Sequence, residues 1–335
     1  MKKQKIIFIP FELKFNKYVD LMKSTYSSFS EVLPFNIKNF FSCKYFVLNW
    51  YESRNSLKFF IFIFLLKIMN KKIIWTMHNK IPHDSKNKFL NNLKMKIMIN
   101  FSYKIIIHSK ISINEIKKIN NSKKIENKII YAPLPNFIGI YGETAVDKTP
   151  KDKLKLLFLG LVKPYKNIEL LVEVFNELNL ENAELLICGF AKDNYKKELL
   201  KKVATNKNIE FYLKFIADNE IPKILAEHHI LVTPYNSESV LNSASIILAF
   251  SYQRSVLSPN NGTLSDFENQ NMFFSYEYKN YEKHKKVLKE KILFLYENYA
   301  DNYNRLLELG KVCFDCVKEN NSLKKISDIL KSEIK

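Results

Sequence analysis

The sequence predicts an α/β protein built of two doubly wound domains that face a cleft, with a helical C-terminal tail. Short apolar runs typical of buried strands alternate with longer helical patterns almost throughout, which favours parallel sheets made of βα units. A chain of 335 residues with 47% hydrophobic residues is long enough to bury two cores. Between the two βα series, residues 133–150 (PLPNFIGIYGETAVDKTP) concentrate proline and glycine without a clear period, as a linker does.

Each half contributes five predicted strands. They cover residues 5–9, 45–48, 73–77, 104–107 and 129–131 in the first half, and residues 155–159, 184–188, 209–212, 230–233 and 255–257 in the second. The main predicted helices cover residues 57–69, 86–101, 167–178, 195–204, 220–227 and 243–252. From residue 281 onwards the pattern is helical, with breaks near residue 300 and at residues 320–322.

These elements divide the chain into a Rossmann-like domain over residues 1–140, a linker over 141–152 and a second Rossmann-like domain over 153–315. Residues 316–335 form a C-terminal helix, which we expect to pack back on the N-terminal domain.

The net charge of +19 is unevenly placed. Residues 1–150 hold 26 Lys and Arg against 9 Asp and Glu, whereas residues 151–335 hold 27 against 25. A basic half joined to a neutral half indicates that one domain faces a polyanion, either anionic lipid or nucleic acid. A lysine-rich composition without any such partner is the alternative, although it should act on both halves alike.

Three further features bear on location and chemistry. The start of the chain, MKK followed by a short strand-like run, lacks the pattern of a secretory signal. The apolar run FFIFIFLL at residues 59–66 is far shorter than the roughly 20 residues of a spanning helix, so we expect a buried helix or else a monotopic, membrane-dipping one. The four cysteines predict reduced thiols rather than a disulfide framework, with a zinc site at Cys313 and Cys316 as the less favoured alternative.

Ligands of open α/β sheets bind beyond the carboxyl ends of the strands, so the loops after the strands are the place to look for a site. After the strand at residues 155–159 comes GLVKPYKN, in which Gly160 permits a tight turn and Lys163 and Lys166 are displayed at the mouth of the sheet. Lysine at such a place can offer its charge to a diphosphate, although both could be ordinary surface lysines.

Two more loops of the second half are unusual. Residues 233–245 (TPYNSESVLNSAS) gather small, hydroxylic and amide residues directly before an apolar helix. Asn242 and Ser243 are both good N-caps there, and the helix N-terminus provides an anion site. Residues 254–266 (RSVLSPNNGTLSD) read as a short strand and an Asn-Gly turn that can bring backbone close to a ligand.

Together these three loops resemble the C-terminal domain of GT-B glycosyltransferases, especially the bacterial group 1 (GT4-like) enzymes of a divergent polysaccharide-biosynthesis type. The family pattern G-R-x-x-x-x-K-G is matched by GLVKPYKN, which keeps Gly160 and Lys166. The pattern E-A-M-A-x-G-x-P-V-I-A-S-N-x-G-G-x-x-E is matched by LAFSYQRSVLSPNNGTLSD, and the segment before it is echoed by FIADNEIPKILAEHHILVTP. The resemblance covers residues 154–268, and the N-terminal half more loosely.

The resemblance implies a nucleotide-sugar donor site in the C-terminal domain. Its members are the loop residues Gly160, Lys163, Lys166, Tyr235, Glu238, Asn242, Ser243, Ala244 and Ser245. The lysines and the helix beginning near Ser243 would neutralise the leaving diphosphate. No metal is expected, because the chain has no Asp-x-Asp, and no cofactor beyond the nucleoside-diphosphate sugar, with UDP or GDP as its nucleotide.

The sequence departs from the family pattern at several positions. The family's paired glutamates fall on Val240 and Leu248, its arginine falls on Leu161 and its helix glycine falls on Gln253. The ribose-binding carboxylate is therefore missing, and Glu238 is a possible substitute.

In the first half, HNKIPHD (residues 78–84) follows the strand IIWTM. With the end of that strand, the segment is similar to T-x-H-N-x-x-P-H, which ends the corresponding strand in related transferases. The resemblance makes His78 the candidate base and Asn79 and His83 candidate acceptor-binding residues, because histidine suits removal of a hydroxyl proton near neutral pH. A histidine that only orders its loop is the alternative. Glu52, which follows another strand, is the second acid/base candidate and is expected to point at the cleft, whereas His108 is expected to be structural.

The function implied is transfer of a hexose-type sugar to a glycan or lipid-linked glycan, in surface polysaccharide, capsule or lipopolysaccharide assembly. We expect the N-terminal domain to bind the acceptor at an anionic membrane surface, and the protein to be cytoplasmic and peripheral at the inner face of the cell membrane. Two other functions stay open: a GT-B epimerase acting on the free sugar nucleotide, and an inactive GT-B partner protein. Nucleic-acid binding is not expected, since no recognisable module accompanies the basic residues.

Overall fold

The computed structural model describes residues 3–79, 88–202, 206–237 and 240–334. The chain divides into two compact units, one formed by Met1–Pro135 with Asn320–Lys335 and the other by Asn136–Glu319. Each unit contains one six-stranded sheet in which all neighbouring strands are parallel. The predicted α/β class, with two doubly wound domains and a helical tail, is confirmed.

The first unit is built on a sheet of order β2-β1-β3-β4-β5-β6. Its strands are β1 (Gln4–Ile9), β2 (Ser30–Leu33), β3 (Tyr45–Asn49), β4 (Lys72–Met77), β5 (Lys104–Ile107) and β6 (Ile129–Tyr131). The central strand β3 is buried along its whole length, which explains the apolar run YFVL that precedes Asn49. The edge strand β2 is the one that the sequence did not predict; it is short and only partly buried.

Helices connect the strands of this sheet. They are α1 (Lys17–Ser27), α2 (Ile37–Ser42), α3 (Ser56–Ile68), α4 (Lys88–Phe101), α5 (Ile111–Ile119) and α6 (Lys123–Glu126). Asparagine starts three of them, since the side chains of Asn16, Asn36 and Asn55 accept hydrogen bonds from backbone N–H groups of the first turn.

The second unit has a sheet of order β12-β11-β10-β7-β8-β9. Its strands are β7 (Leu154–Leu159), β8 (Ala183–Cys188), β9 (Ile209–Tyr212), β10 (Ile230–Val232), β11 (Ser255–Pro259) and β12 (Phe274–Tyr276). Its helices are α7 (Ile168–Leu178), α8 (Asp193–Lys202), α9 (Ile221–Ala226), α10 (Ala244–Ser251), α11 (Gly262–Ser265), α12 (Tyr281–Asn298) and α13 (Tyr303–Asn320). As in the first unit, the edge strand, here β12, escaped prediction.

The last helix, α14 (Leu323–Glu333), belongs to the first unit and packs against α1. Its start is fixed by Asn321, whose side-chain amide donates to the carbonyl of Leu134 at 2.7 Å. Near its end, Glu333 forms an ion pair with Lys104 at 2.8 Å. The tail of the chain therefore returns to the domain in which the chain begins.

Residues 141–152, expected to be a linker, lie within the second unit. The backbone N–H of Tyr141 donates to the Tyr252 hydroxyl at 3.0 Å. The buried guanidinium of Arg254 holds Asp147 with an N–O distance of 2.6 Å and also donates to the carbonyl of Leu225. These contacts make the segment an integral part of the fold.

Across the described ranges, no helix combines the length and apolar character needed to cross a bilayer.

Candidate donor and acceptor sites

In the second unit, the loop after β7 depends on two glycines at neighbouring strand ends. Gly160 has φ +143° and its N–H donates to the carbonyl of Cys188 at 3.0 Å. Gly189, directly after β8, has φ +141°, and a Cβ at this position would lie 1.8 Å from the carbonyl oxygen of Gly160. The ends of β7 and β8 can approach so closely only because Gly189 has no side chain.

Gly160 also marks the point where the separate loops meet. A Cβ there would lie 3.1 Å from Oγ of Ser245 and 3.4 Å from Nζ of Lys166. Lys166 and Ser245, which lie about 80 positions apart in the chain, are thus both neighbours of Gly160. The structure brings Gly160, Lys166 and Ser245 together beyond the end of β7.

Lys166 ends a single 3-10 turn, Pro164–Lys166, and its side chain is buried. Its Nζ donates to the Tyr235 hydroxyl at 3.0 Å and lies 4.5 Å from the centre of the Tyr235 ring. Within the described residues, no carboxylate lies within 4.0 Å of this ammonium. A buried cation without a protein anion is a place where a bound anion is stabilised.

The charge state of Lys166 follows from these contacts. Burial lowers its pKa, but interactions with Tyr235 and Tyr165 raise it by more. The net pKa therefore lies above the ordinary value of a lysine. The side chain therefore carries its charge at neutral pH.

Helix α10 begins beside Gly160 and Lys166, since its second residue is Ser245. Ser243 is its N-cap, since Oγ accepts from the N–H of Ile246, and the N–H of Ser243 donates to Oγ1 of Thr263 at 2.8 Å. Of the next two predicted donor residues, Ala244 is exposed and Ser245 half-buried. The first turn of α10 is thus presented beside Lys166, where the N-terminal end of the helix dipole favours an anion.

The remaining predicted donor residues are placed less directly. Lys163 starts the 3-10 turn, and its carbonyl accepts from the N–H of Lys166 at 3.0 Å. Asn242 is half-buried immediately before the N-cap. Glu238 lies outside the described residues.

In the first unit, His78 follows β4 inside an aromatic cluster. Its ring stacks on Trp50 with centroids 4.0 Å apart and meets Tyr18 edge-on at 5.0 Å. Its Nε2 donates to Oδ1 of Asn49 at 3.2 Å, and the amide nitrogen of Asn49 faces the carbonyl of Ile9. A neutral ring that donates from Nε2 carries its lone pair on Nδ1.

The surroundings of His78 hold it neutral. Burial, and then the neighbouring His108, lower its pKa well below the ordinary value. His108 is itself buried, accepts from Tyr18 at 2.7 Å and donates from Nδ1 to the carbonyl of Ala132, and burial lowers its pKa to about 4. His78 can therefore accept a proton at neutral pH, although its low pKa makes it a weaker base than a free histidine.

Glu52, the second acid/base candidate, is enclosed by the first unit. It lies in a 3-10 turn after β3 but is buried, and its Oε2 accepts from the indole N–H of Trp75 at 3.0 Å. Burial raises the pKa of Glu52 to about 7, partly offset by Trp75 and Lys94. Trp50, two residues earlier, has a left-handed backbone conformation (φ +50°). The role of Glu52 as an acid/base group stays a prediction.

Of the two predicted acceptor-binding residues, Asn79 is half-buried next to His78. His83 lies outside the described residues.

Several residues of these clusters were not singled out from the sequence. Gly189 follows a strand just as Gly160 does, so its position alone could have identified it. Thr263, Trp50 and Tyr18 carry no sequence pattern of their own, since each is recruited by a contact that only the fold creates.

Residues 143–240 match the family described as "Glycosyl transferases group 1". A curated relative, the GDP-mannose:glycolipid 4-beta-D-mannosyltransferase of Xanthomonas campestris pv. campestris, is 27% identical over 127 residues. That match covers 37% of this chain and 36% of the relative, so it spans about a third of the relative's length.

Solved structures match nearly the whole chain. HepE from Anabaena, in complex with UDP and glucose, has a TM-score of 0.73 with 10% identity and covers 99% of both chains. A glycosyltransferase from Rickettsia africae ESF-5 has a TM-score of 0.69 with 15% identity, over 100% of this chain and 99% of that one. WaaG, a glycosyltransferase involved in lipopolysaccharide biosynthesis, has a TM-score of 0.63 with 13% identity, over 97% and 99%. At these identities the likeness establishes the fold.

Proposed function

We propose that this chain, which has the GT-B fold and matches the group 1 glycosyl transferase family over residues 143–240, transfers a hexose-type sugar from a nucleoside-diphosphate sugar to a glycan or lipid-linked glycan acceptor. The proposed setting is the assembly of a bacterial surface polysaccharide at the inner face of the cell membrane. UDP and GDP are the proposed nucleotides, since the Anabaena neighbour is described with UDP and the Xanthomonas relative with GDP-mannose.

The observation that carries this proposal is the buried ammonium of Lys166 beside Gly160, Ser245 and the first turn of α10. A diphosphate placed there would receive a full positive charge from Nζ and partial positive charge from the helix N-terminus. Negative charge grows on the diphosphate as the sugar leaves, so a preorganised cation favours the transition state more than the ground state. No metal is needed for this step in the proposal, and Lys163 is proposed as a second cation on the same turn.

For the acceptor, we propose His78 as the group that takes the hydroxyl proton. Its ring is neutral, its Nε2–H is engaged with Asn49, and the remaining nitrogen Nδ1 bears the lone pair that a base requires. Asn79 and His83 are proposed to contact the acceptor.

Nucleotide-induced thermal shift tests the donor site. We expect UDP or GDP, and not CMP, to raise the Tm of the wild-type chain, because binding to the native state alone stabilises it by mass action. Lys166→Ala should abolish most of that shift and lower turnover by about 10²–10³-fold, as loss of one preorganised charge contact does.

The matched control is Lys201→Ala, which removes an exposed lysine of α8 in the same unit. It should leave both the shift and the turnover unchanged. A correctly folded Lys166→Ala protein with a full nucleotide shift would contradict the assignment of the donor site.

A further inference from the structure

Helix α3 carries apolar side chains on both its inner and its outer face. The inner face is formed by Phe59, Ile63 and Leu66, which are at most 2% exposed. The outer face consists of five side chains that are each between 42% and 69% exposed, namely Leu57, Ile61, Phe64, Leu65 and Ile68. At 100° per residue these five fall within an arc of about 100°, so they form one continuous stripe, here called the α3 face.

The α3 face continues onto the neighbouring helix α4. Ile61 and Phe64 line a shallow apolar groove with Phe60, Ile97 and Phe101. Phe101, at the end of α4, is itself 42% exposed. Large contiguous apolar surfaces of this kind on a folded protein mark places of interaction.

Positive charge borders the α3 face. On the helical wheel, Lys58 and Lys67 fall on opposite sides of the stripe, near its two ends, and both are exposed. Lys67 lies over the Phe101 ring at 5.4 Å. Burial, followed by the like charges of Lys124 and Lys67, lowers the pKa of Lys128.

Acidic residues are almost missing from this part of the chain. Residues 53–114 contain 12 Lys and Arg but a single acidic residue, Asp84. Hence the apolar stripe is set in a strongly positive surround rather than the mixed charge of the second half.

We propose that the α3 face lies on an anionic lipid bilayer, with the axis of α3 parallel to the membrane plane. The five outer side chains enter the boundary between headgroups and acyl chains, while Lys58 and Lys67 contact headgroup phosphates. The 13 residues of α3 are about 20 Å long, which suits a helix lying in the interface and not one spanning it. The inference rests on the proposed function in one respect: a lipid-linked acceptor is the reason for this protein to bind a membrane.

A second copy of this chain is a poorer occupant of the α3 face. Two such faces brought together would oppose lysines to lysines at their borders, and residues 53–114 offer a single carboxylate, Asp84, against 12 Lys and Arg. An anionic bilayer supplies both a medium for the apolar side chains and negative charge for the lysines around them.

The test is co-sedimentation of the full chain with phosphatidylcholine vesicles, with and without phosphatidylglycerol. Ile61→Ser/Phe64→Ser should weaken binding to the anionic vesicles by about tenfold or more, because two apolar side chains no longer enter the interface. Its matched control is Leu200→Ser/Phe294→Ser, which removes one aliphatic and one aromatic exposed side chain from helices α8 and α12 of the second unit. The control should bind like the wild type.

Charge is tested separately. Lys58→Gln/Lys67→Gln should weaken binding to anionic vesicles at low salt, and the difference from the wild type should shrink as salt is raised. If the serine variant does not fold, Phe64→Trp gives a second measurement. Its fluorescence should shift to shorter wavelength on binding, and brominated acyl chains should quench it more than they quench the wild type with Trp50 and Trp75.

Three outcomes would overturn the proposal. They are equal vesicle binding by the wild type and the Ile61→Ser/Phe64→Ser variant, no vesicle binding by the wild type, and a wild-type dimer in sedimentation equilibrium that the same variant makes monomeric. The rise in Tm on adding UDP or GDP reports on the donor site independently of vesicle binding. The variant should retain the full UDP or GDP shift, so loss of vesicle binding with an intact shift concerns the α3 face alone.

Discussion

Lys166 in the second unit and His78 in the first are both ionisable side chains near strand ends, and both are surrounded by aromatic rings. Yet their surroundings hold opposite charge states. Lys166 remains charged, because Tyr235 and Tyr165 raise its pKa by more than burial lowers it. At His78 burial, and then the neighbouring His108, both lower the pKa. Aromatic enclosure by itself thus does not determine charge, which depends on whether a neighbouring group offsets the effect of burial.

The two clusters also differ in what holds them in place. The Lys166 cluster depends on backbone, through the glycines at the ends of β7 and β8 and the capped start of α10. The His78 cluster depends on side-chain packing, with Trp50 stacked on His78 and Tyr18 bonded to His108. A substitution should therefore be most damaging at a glycine in the second unit and more local in the first.

Gly189→Ala is the most severe test of this difference. The added Cβ would meet the carbonyl oxygen of Gly160 at 1.8 Å and the residue would be forced to keep φ +141°, so the ends of β7 and β8 must separate. We expect a loss of several kcal/mol of unfolding free energy, in the range of the larger single-residue effects, or failure to fold. Chemical denaturation monitored by circular dichroism measures it.

The control for this prediction is Gly139→Ala. That glycine also has a positive φ of +73°, but a Cβ there has nothing within 4 Å. It should lose only the roughly 1 kcal/mol of an unfavourable backbone conformation. Equal losses at both glycines would show that backbone conformation, and not the close approach of β7 and β8, is what Gly189 provides.

Acid should destabilise the chain through histidines that the fold keeps neutral. Burial lowers the pKa of His108, His228, His229 and His284 to about 4. Below the ordinary value of about 6.5, the unfolded chain takes up protons that the folded chain refuses. Stability is therefore full above that value and is lost as the pH falls from about 6.5 towards 4. We expect Tm to drop steadily over this range.

Glu52 works in the opposite direction and provides the check. Its pKa is raised to about 7, so the folded chain holds a proton there that the unfolded chain releases above about 4.5. In Glu52→Gln this opposing contribution is removed, and the loss of Tm between pH 7 and pH 4.5 should become steeper. A flatter profile in that variant would contradict the placement of the Glu52 carboxyl.

His78→Ala should lower turnover by about 100-fold, within the range for general-base catalysis, while nucleotide affinity stays unchanged. Because His78 is neutral throughout the physiological range, its protonation should add no acidic limb near pH 6.5 to the pH profile of kcat/KM. His78→Gln separates catalysis from loop order, since glutamine can still donate to Asn49 but cannot take a proton. Turnover restored by glutamine would make His78 an ordering residue.

Much of this architecture could be predicted from the sequence. Of the twelve strands in the described part of the chain, ten are predicted because buried parallel strands are continuous apolar runs. The other two, β2 and β12, are short edge strands with partly exposed residues. The meeting of Gly160, Lys166 and Ser245 followed from the rule that loops at the carboxyl ends of parallel strands converge.

What the sequence could not supply was side-chain direction and mutual burial. Glu52 follows β3 as a functional carboxylate would, yet its side chain is buried and accepts from the indole N–H of Trp75. Likewise the enclosure of Lys166 by Tyr235, and of His78 by Tyr18 and Trp50, joins segments distant in the chain. No local pattern records such contacts.

Tyr235→Phe gives the smallest expected effect and the sharpest comparison between the two clusters. The change removes the hydroxyl that accepts from Lys166 and keeps the ring that lies over the ammonium. In the ligand-free protein a buried N–H then lacks its partner, which should lower stability by about 1 kcal/mol. When a nucleoside diphosphate is bound, its oxygens can accept that N–H, so the complex should lose less than the free protein. The nucleotide-induced rise in Tm should therefore be larger in Tyr235→Phe than in the wild type, whereas Lys166→Ala should lose most of it.

The control is Tyr281→Phe, which removes an exposed hydroxyl bonded to Glu173 in the same unit and should leave the nucleotide-induced rise as it is. A smaller rise in Tyr235→Phe would mean that the Tyr235 hydroxyl itself contacts the nucleotide. It would contradict the proposal that the Lys166 ammonium is the group that binds the diphosphate.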